Sequence, residues 1–175
     1  MLSQTSLKII VLATLLIFIN SAEFLITKAD AQANKKAALT TYTSYAACCK
    51  NNPNYDPKAS KEECDDYSAC KYSGDFAAIG HKSFDWVKTH NIVAFYDDSD
   101  PTGKNFKKKY GNKTIHLTKN GKTFDADTCG NKDCNGCCRK NSKNGYLVDI
   151  EYWTVMKNLG SIDQADGLIE FTIDP

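Results

Sequence analysis

Thr114-Ile115-His116-Leu117-Thr118-Lys119-Asn120-Gly121-Lys122 is the stretch that decides the fold class of this 175-residue chain. Apolar and polar residues alternate with period two up to Thr118, as in a strand with one buried face. Asn120-Gly121 then offers two residues tolerant of positive φ, the requirement of a two-residue hairpin turn. Working outward, short β-branched and aromatic runs recur at Leu39-Thr40-Thr41-Tyr42-Thr43, Ile92-Val93-Ala94-Phe95-Tyr96, Tyr146-Leu147-Val148 and Leu168-Ile169-Glu170-Phe171-Thr172-Ile173. Two helical segments interrupt them. Ser83 is placed to cap Phe84 to His90, and Ile150 to Leu159 puts Tyr152, Val155, Met156 and Leu159 on one face with Gly160 at the stop. Lys50 to Ser73 keeps no period, contains Pro53 and Pro57, and carries Cys64 and Cys70, so it reads as a long loop pinned by disulfides. The fold class is mainly β: a small barrel with one or two short helices and that loop.

The first residues describe processing rather than fold. Lys8 precedes the apolar run Ile9 to Ile19, which has the length of a signal-peptide core and falls short of the roughly 20 residues that span a bilayer. Small residues at Asn20-Ser21-Ala22, Ala29-Asp30-Ala31 and Ala31-Gln32-Ala33 place cleavage between Ala22 and Ala33, so that 1–33 is leader and 34–175 a single domain. The alternative is a retained anchor extended by Phe24-Leu25-Ile26, which Glu23 interrupts. All eight cysteines (Cys48, Cys49, Cys64, Cys70, Cys129, Cys134, Cys137 and Cys138) lie beyond the leader. An even count in an exported chain reads as a disulfide framework, and the two groups of four invite bridges between the halves. The rival reading is zinc at Cys129 and Cys134 to Cys138, which lacks a second Cys-x-x-Cys or His pair at matching spacing.

Charge is balanced at 22 basic against 21 acidic residues, which argues against a nucleic-acid partner. The basic cluster Lys104 to Lys109 follows acidic Asp97 to Asp100 and reads as a solvated loop. Asn112-Lys113-Thr114 is a glycosylation sequon, suited to an exposed loop of a secreted protein. No metal or other cofactor is implied, no membrane is a partner once the leader is removed, and a monomer is expected. The histidines His81, His90 and His116 show no spacing that suggests a dyad or a metal site.

Several motifs occur in a telling order: Thr41-Tyr42-Thr43, Phe76-Ala77-Ala78-Ile79-Gly80, Asp127-Thr128-Cys129, Tyr146-Leu147-Val148-Asp149 running into a helix, and Asp166-Gly167-Leu168-Ile169-Glu170-Phe171. Together they resemble the double-psi β-barrel of expansins and rare-lipoprotein-A-like proteins, over roughly Leu39 to Ile173. The resemblance implies a six-stranded double-psi barrel with a polysaccharide-binding groove, flanked by Thr43, Asp127 and Asp149. Trp153, off the apolar stripe of its helix, adds either an outward aromatic platform for sugars or a tryptophan at the core margin. Each position also has a plainer role. Asp149 stands where an aspartate caps a helix, Asp127 where one braces a turn, and Thr43 at a strand end; Trp86 reads as core.

Family-45 endoglucanases share this barrel and carry a Tyr-Trp-Asp-Cys-Cys-Lys motif whose aspartate is the catalytic base. Here the segment reads Tyr45-Ala46-Ala47-Cys48-Cys49-Lys50, with Ala47 in the base position. An inverting glycosidase needs a second carboxylate to activate water, so hydrolysis requires another acid, such as Asp56 or Asp75, to take that role. Expansins also carry a second, β-sandwich domain, for which no residues follow Pro175. The expected function is therefore secreted, non-hydrolytic binding and loosening of cell-wall glucan or chitin. The alternatives are a barwin-like or protease-inhibitor protein acting through the Lys50 to Ser73 loop, and a weak endoglucanase. The strand leading to Asp127 departs from the family's valine-rich run, since Thr123-Phe124-Asp125-Ala126 is only half apolar, and is expected to be short.

Overall fold

The computed structural model describes residues 34–66, 69–111, 113–128 and 137–174, with the side chains of Asp66, Lys107 and Cys137 excepted. The leader, Asn112, Cys129 and Cys134 therefore lie outside the described residues. Residues from Lys35 onward form one compact unit.

Strand β1 (Lys35–Tyr42) is followed by a two-residue ribbon, β2 (Asp75–Phe76) against β3 (Gly80–His81), and then by β4 (Ile92–Asp97), β5 (Thr114–Lys119), β6 (Lys122–Thr128), β7 (Tyr146–Glu151) and β8 (Leu168–Ile173). Six of these close into a barrel in the order β1-β7-β4-β6-β5-β8. β1 pairs with β7 and β4 with β6 in parallel, while the other four pairings are antiparallel. Closure removes exposed sheet edges. Two parallel pairs within an otherwise antiparallel six-stranded barrel are compatible with a double-psi topology.

The β5–β6 hairpin forms as its alternation and turn chemistry dictate. Asn120 and Gly121 adopt φ of 52° and 75°, the positive values of a type I′ turn. β6 runs for seven residues, with exposed and buried side chains alternating from Thr123 onward, so it is longer than its half-apolar composition implies. Inward residues such as Leu39, Val93, Phe95, Ile115, Leu117, Val148, Ile150 and Phe171 fill the barrel. Phe95 meets Phe171 edge-on at 5.2 Å and Tyr110 at 5.0 Å. β4 and β7 are buried on nearly every residue, because their outer faces are covered as well.

The covering comes from short helices: α1 (Glu62–Asp66), α2 (Phe84–Thr89), α3 (Phe106–Lys109), α4 (Cys137–Asn141) and α5 (Tyr152–Asn158). Ser83 caps α2 as expected, its hydroxyl accepting from the Trp86 backbone N–H at 3.3 Å. Under α2 and α5, outside the barrel, Tyr45, Phe76, Val87 and Ile92 form a second apolar cluster, with Phe84, Trp86 and Trp153 packed on its margin. A third joins Ala38, Tyr96, Leu147 and Cys138 beside α4. Among the described residues no helix is long and apolar enough to cross a membrane.

The disulfides correct one expectation. Cys48 bonds Cys64 and Cys49 bonds Cys70, so the N-terminal four pair among themselves and bridge no two halves. The long loop returns to the end of β1, which brings its two cysteines onto the adjacent pair. The loop is pinned as its composition suggests.

His116, on the outer face of β5, places Nδ1 2.6 Å from Asp125 and Nε2 2.9 Å from Asp174. The hydrogen bond with Asp174, then that with Asp125, raises its pKa above the ordinary value. A raised histidine stabilises the fold fully below its unfolded pKa, and the contribution is lost as pH rises through the folded value. The ring is exposed, so the energy is small and screened by salt. An NMR titration should show the His116 midpoint above that of a free histidine, and Asp174→Asn should lower it. A midpoint that Asp174→Asn leaves unmoved would contradict this account.

Candidate functional site

Parallel pairing of β1 with β7 sets Thr40 opposite Asp149, and antiparallel pairing with β4 sets Ala94 on its other side. The three share the outer face of the wall, between the second and third apolar clusters. There the Thr40 hydroxyl donates to Asp149 Oδ1 at 2.8 Å. Burial pushes the Asp149 carboxyl up to about 6, while the Thr40 hydrogen bond pulls the other way. A carboxyl in that range can hold or release a proton in mildly acidic surroundings.

Asp149 does not cap the helix that follows. β7 continues to Glu151, and Glu151 is the N-cap of α5, accepting from the Trp153 backbone N–H at 2.6 Å and from the Ser44 hydroxyl at 2.9 Å. Glu151 is fully buried. Burial raises its pKa, against the hydrogen bonds from Ser44, Trp153 and Thr154. The strand outlasts its expected end because Ile150 points into the barrel and Glu151 finds partners across β1; Asp149 is thereby left to Thr40.

A cleft of about 540 Å³ lies where the long loop passes α5. Thr43 and Trp153 line it together, as does Ala47 at the position that carries a base in the endoglucanases. Two hydrogen bonds hold the segment behind the cleft. Gly74 N–H donates to Ser44 O at 2.9 Å, and the Tyr45 hydroxyl donates to Lys82 O at 2.6 Å. A Cβ at Gly74, whose φ is 73°, would collide with that hydroxyl and with the Lys82 carbonyl. The far wall comes from the loop: Asp56 N–H donates to Ala47 O at 2.8 Å, and Thr43 donates to Glu63 Oε1 at 3.1 Å. The Cys48–Cys64 bridge fixes α1, with Glu62 and Glu63, against this wall. Trp153 is half-buried, meeting Phe84 edge-on at 5.8 Å and Tyr152 at 5.1 Å.

Asp127 stands apart from Thr43 and Trp153. It is exposed at the end of β6, opposite Ile92, and lines a second cleft of about 350 Å³ with Trp86 and Lys82. Trp86 is half-buried in that cleft rather than in the core, stacked on His90 at 3.9 Å, because Val87 takes the inward position of α2. Asp75, one of the two acids considered for a displaced base, pairs with His81 at 2.9 Å on the ribbon; Asp56, the other, lines the first cleft beside Ala47.

Reasoning from sequence missed Thr40, Ser44, Glu63 and Glu151. Thr40 was one period-two step from the face of Tyr42, but only the β1–β7 register identifies its partner. Glu63 carries no local signal at all, since the disulfide and α1 deliver it. The sulfurs of Cys48, Cys49 and Cys64 lie within 4.8 Å of one another, but all three are in disulfides and none is a thiolate available to a metal. Asn112, Cys129 and Cys134 fall outside the described residues. No protein-family model matches the chain, and no curated protein matches it.

Proposed function

We propose that this is a secreted, expansin-like protein that binds cell-wall polysaccharide and loosens it without cutting it. What supports this most is the cleft in which Thr43, Trp153 and Ala47 meet: an aromatic face and hydroxyl-bonding groups stand beside a base position that has no carboxylate. An aromatic ring stacks on the apolar face of a sugar, and carboxylates beside it accept sugar hydroxyls. Asp149 and Thr40 supply a second polar point on the neighbouring barrel wall, and Asp127 with Trp86 a third. The family identity, the export and the wall target rest on the resemblance of the motifs.

Incubation of the purified protein with cellulose, chitin and β-glucan tests the reading. Retention on at least one polymer without soluble reducing sugar is the expected result. Soluble oligosaccharides would make it a hydrolase, with Asp56 the first acid to replace. Retention on none of the three would move the inhibitor class ahead.

A further inference from the structure

We infer that the polymer bound in the first cleft carries protonated amines, as a partly deacetylated aminoglycan does; this rests on the polysaccharide-binding reading above. Asp56, Glu62 and Glu63 all line the cleft, and among the described residues no Lys, Arg or His does. The chain as a whole is balanced, so the negative sign belongs to this cleft and not to the molecule. A neutral glucan would cover carboxylates without offering a counter-charge, and an acidic glycan would add repulsion. An ammonium group on every few sugars offers the opposite charge at little geometric cost.

Two further features point the same way. Trp153 already receives an ammonium: Lys88 Nζ lies 5.5 Å from its ring centroid and 5.2 Å from that of Phe84. The ring therefore attracts cations, and a ligand ammonium would share it with Lys88 or displace it. Asn54, also in the lining, has a buried Oδ1 with no hydrogen-bond partner among the described residues, while its Nδ2 donates to Tyr45 O at 2.8 Å. An unpaired buried acceptor calls for a donor, and amines and hydroxyls are donors. Acceptors, carboxylates and an aromatic face together select a cationic, donor-rich chain.

The decisive comparison uses one polymer in two forms: chitosan, and the same chitosan re-acetylated on its amines, both in mildly acidic buffer at low salt. The purified protein should be retained about tenfold more tightly on the amine form, a few weak exposed ion pairs acting together. That difference should shrink toward parity as salt is raised. The triple variant Asp56→Asn, Glu62→Gln, Glu63→Gln should bind both forms to within about twofold. Asp56 and Glu62 are exposed, so the double variant at these two positions serves where the triple one folds poorly. Equal retention on both forms, or a preference that neither salt nor the variants diminish, would overturn the inference and leave the polysaccharide reading standing. Retention on neither form nor on any neutral glucan would overturn both.

Discussion

Asp149→Asn should raise the stability of the protein at neutral pH by about 2–3 kcal/mol and flatten its pH dependence between about pH 4 and 6. Most paired carboxylates are depressed and lend stability at neutral pH; this one is the reverse. Burial pushes Asp149 up to about 6, and the Thr40 hydrogen bond offsets only part of that. Between its unfolded value and about 6 the folded chain binds the proton and the unfolded chain does not, so stability falls as pH rises through that window. Above it the full cost of a buried charge is present. Asparagine keeps an oxygen to accept from Thr40 and removes the charge. Urea unfolding at several pH values measures the effect, with the midpoint shifting and the slope unchanged. Equal midpoints for the two proteins across the window would show that the carboxyl is solvated. The same variant tests function: if wall loosening and glycan retention are unaltered, Asp149 lies outside the site.

A protein that keeps such a cost on its surface wall invites a functional reason, because a neutral side chain there would be tolerated by the fold. The expected glycan contact is of this kind, with the sugar hydroxyls as donors to a carboxyl whose protonation changes near its shifted pKa.

Local chemistry made part of this molecule legible. The hairpin could be read because alternation and the Asn120-Gly121 turn act over a few residues, and the Ser83 cap because it acts over three. The meeting of Thr40 with Asp149 spans 109 residues and depends on a parallel register that no local pattern encodes. The choice between Asp149 and Glu151 as helix cap turned on a two-residue extension of β7, and that extension is fixed by Ile150 entering the core. Thr43 and Trp153 line one cleft and Asp127 another, because β4 pairs with only the last two residues of β6 and leaves that corner facing Trp86. The local disulfides were beyond reach for a related reason, since pairing follows the path of a loop with no period of its own.

Glu151→Ala should destabilise the protein by about 3–4 kcal/mol, the larger of the two effects. Three losses add. The helix loses its N-cap, typically about 1 kcal/mol. The Trp153 N–H and the Ser44 hydroxyl, both part-buried, lose their acceptor on the fully buried Glu151, about 1–3 kcal/mol together. The fully buried space of the side chain is left vacant, with its van der Waals contacts gone. Opposing these is relief of the buried charge, because burial raises the Glu151 pKa and costs stability as pH rises through that raised value. Glu151→Gln separates the opposing terms: it keeps an acceptor and the volume while removing the charge, and should cost no more than about 1 kcal/mol at neutral pH. A loss as large as that of alanine would mean that both carboxylate oxygens are needed as acceptors, and that the charge is favourable where it sits. The consequence reaches the cleft, because the cap orients the first turn of α5, which carries Tyr152 and Trp153. Retention on polysaccharide should therefore fall in Glu151→Ala even under conditions where that variant is still folded, and should persist in Glu151→Gln. Binding that survives in the folded alanine variant would show that the ring is held by Phe84 alone and that the cap serves only the fold.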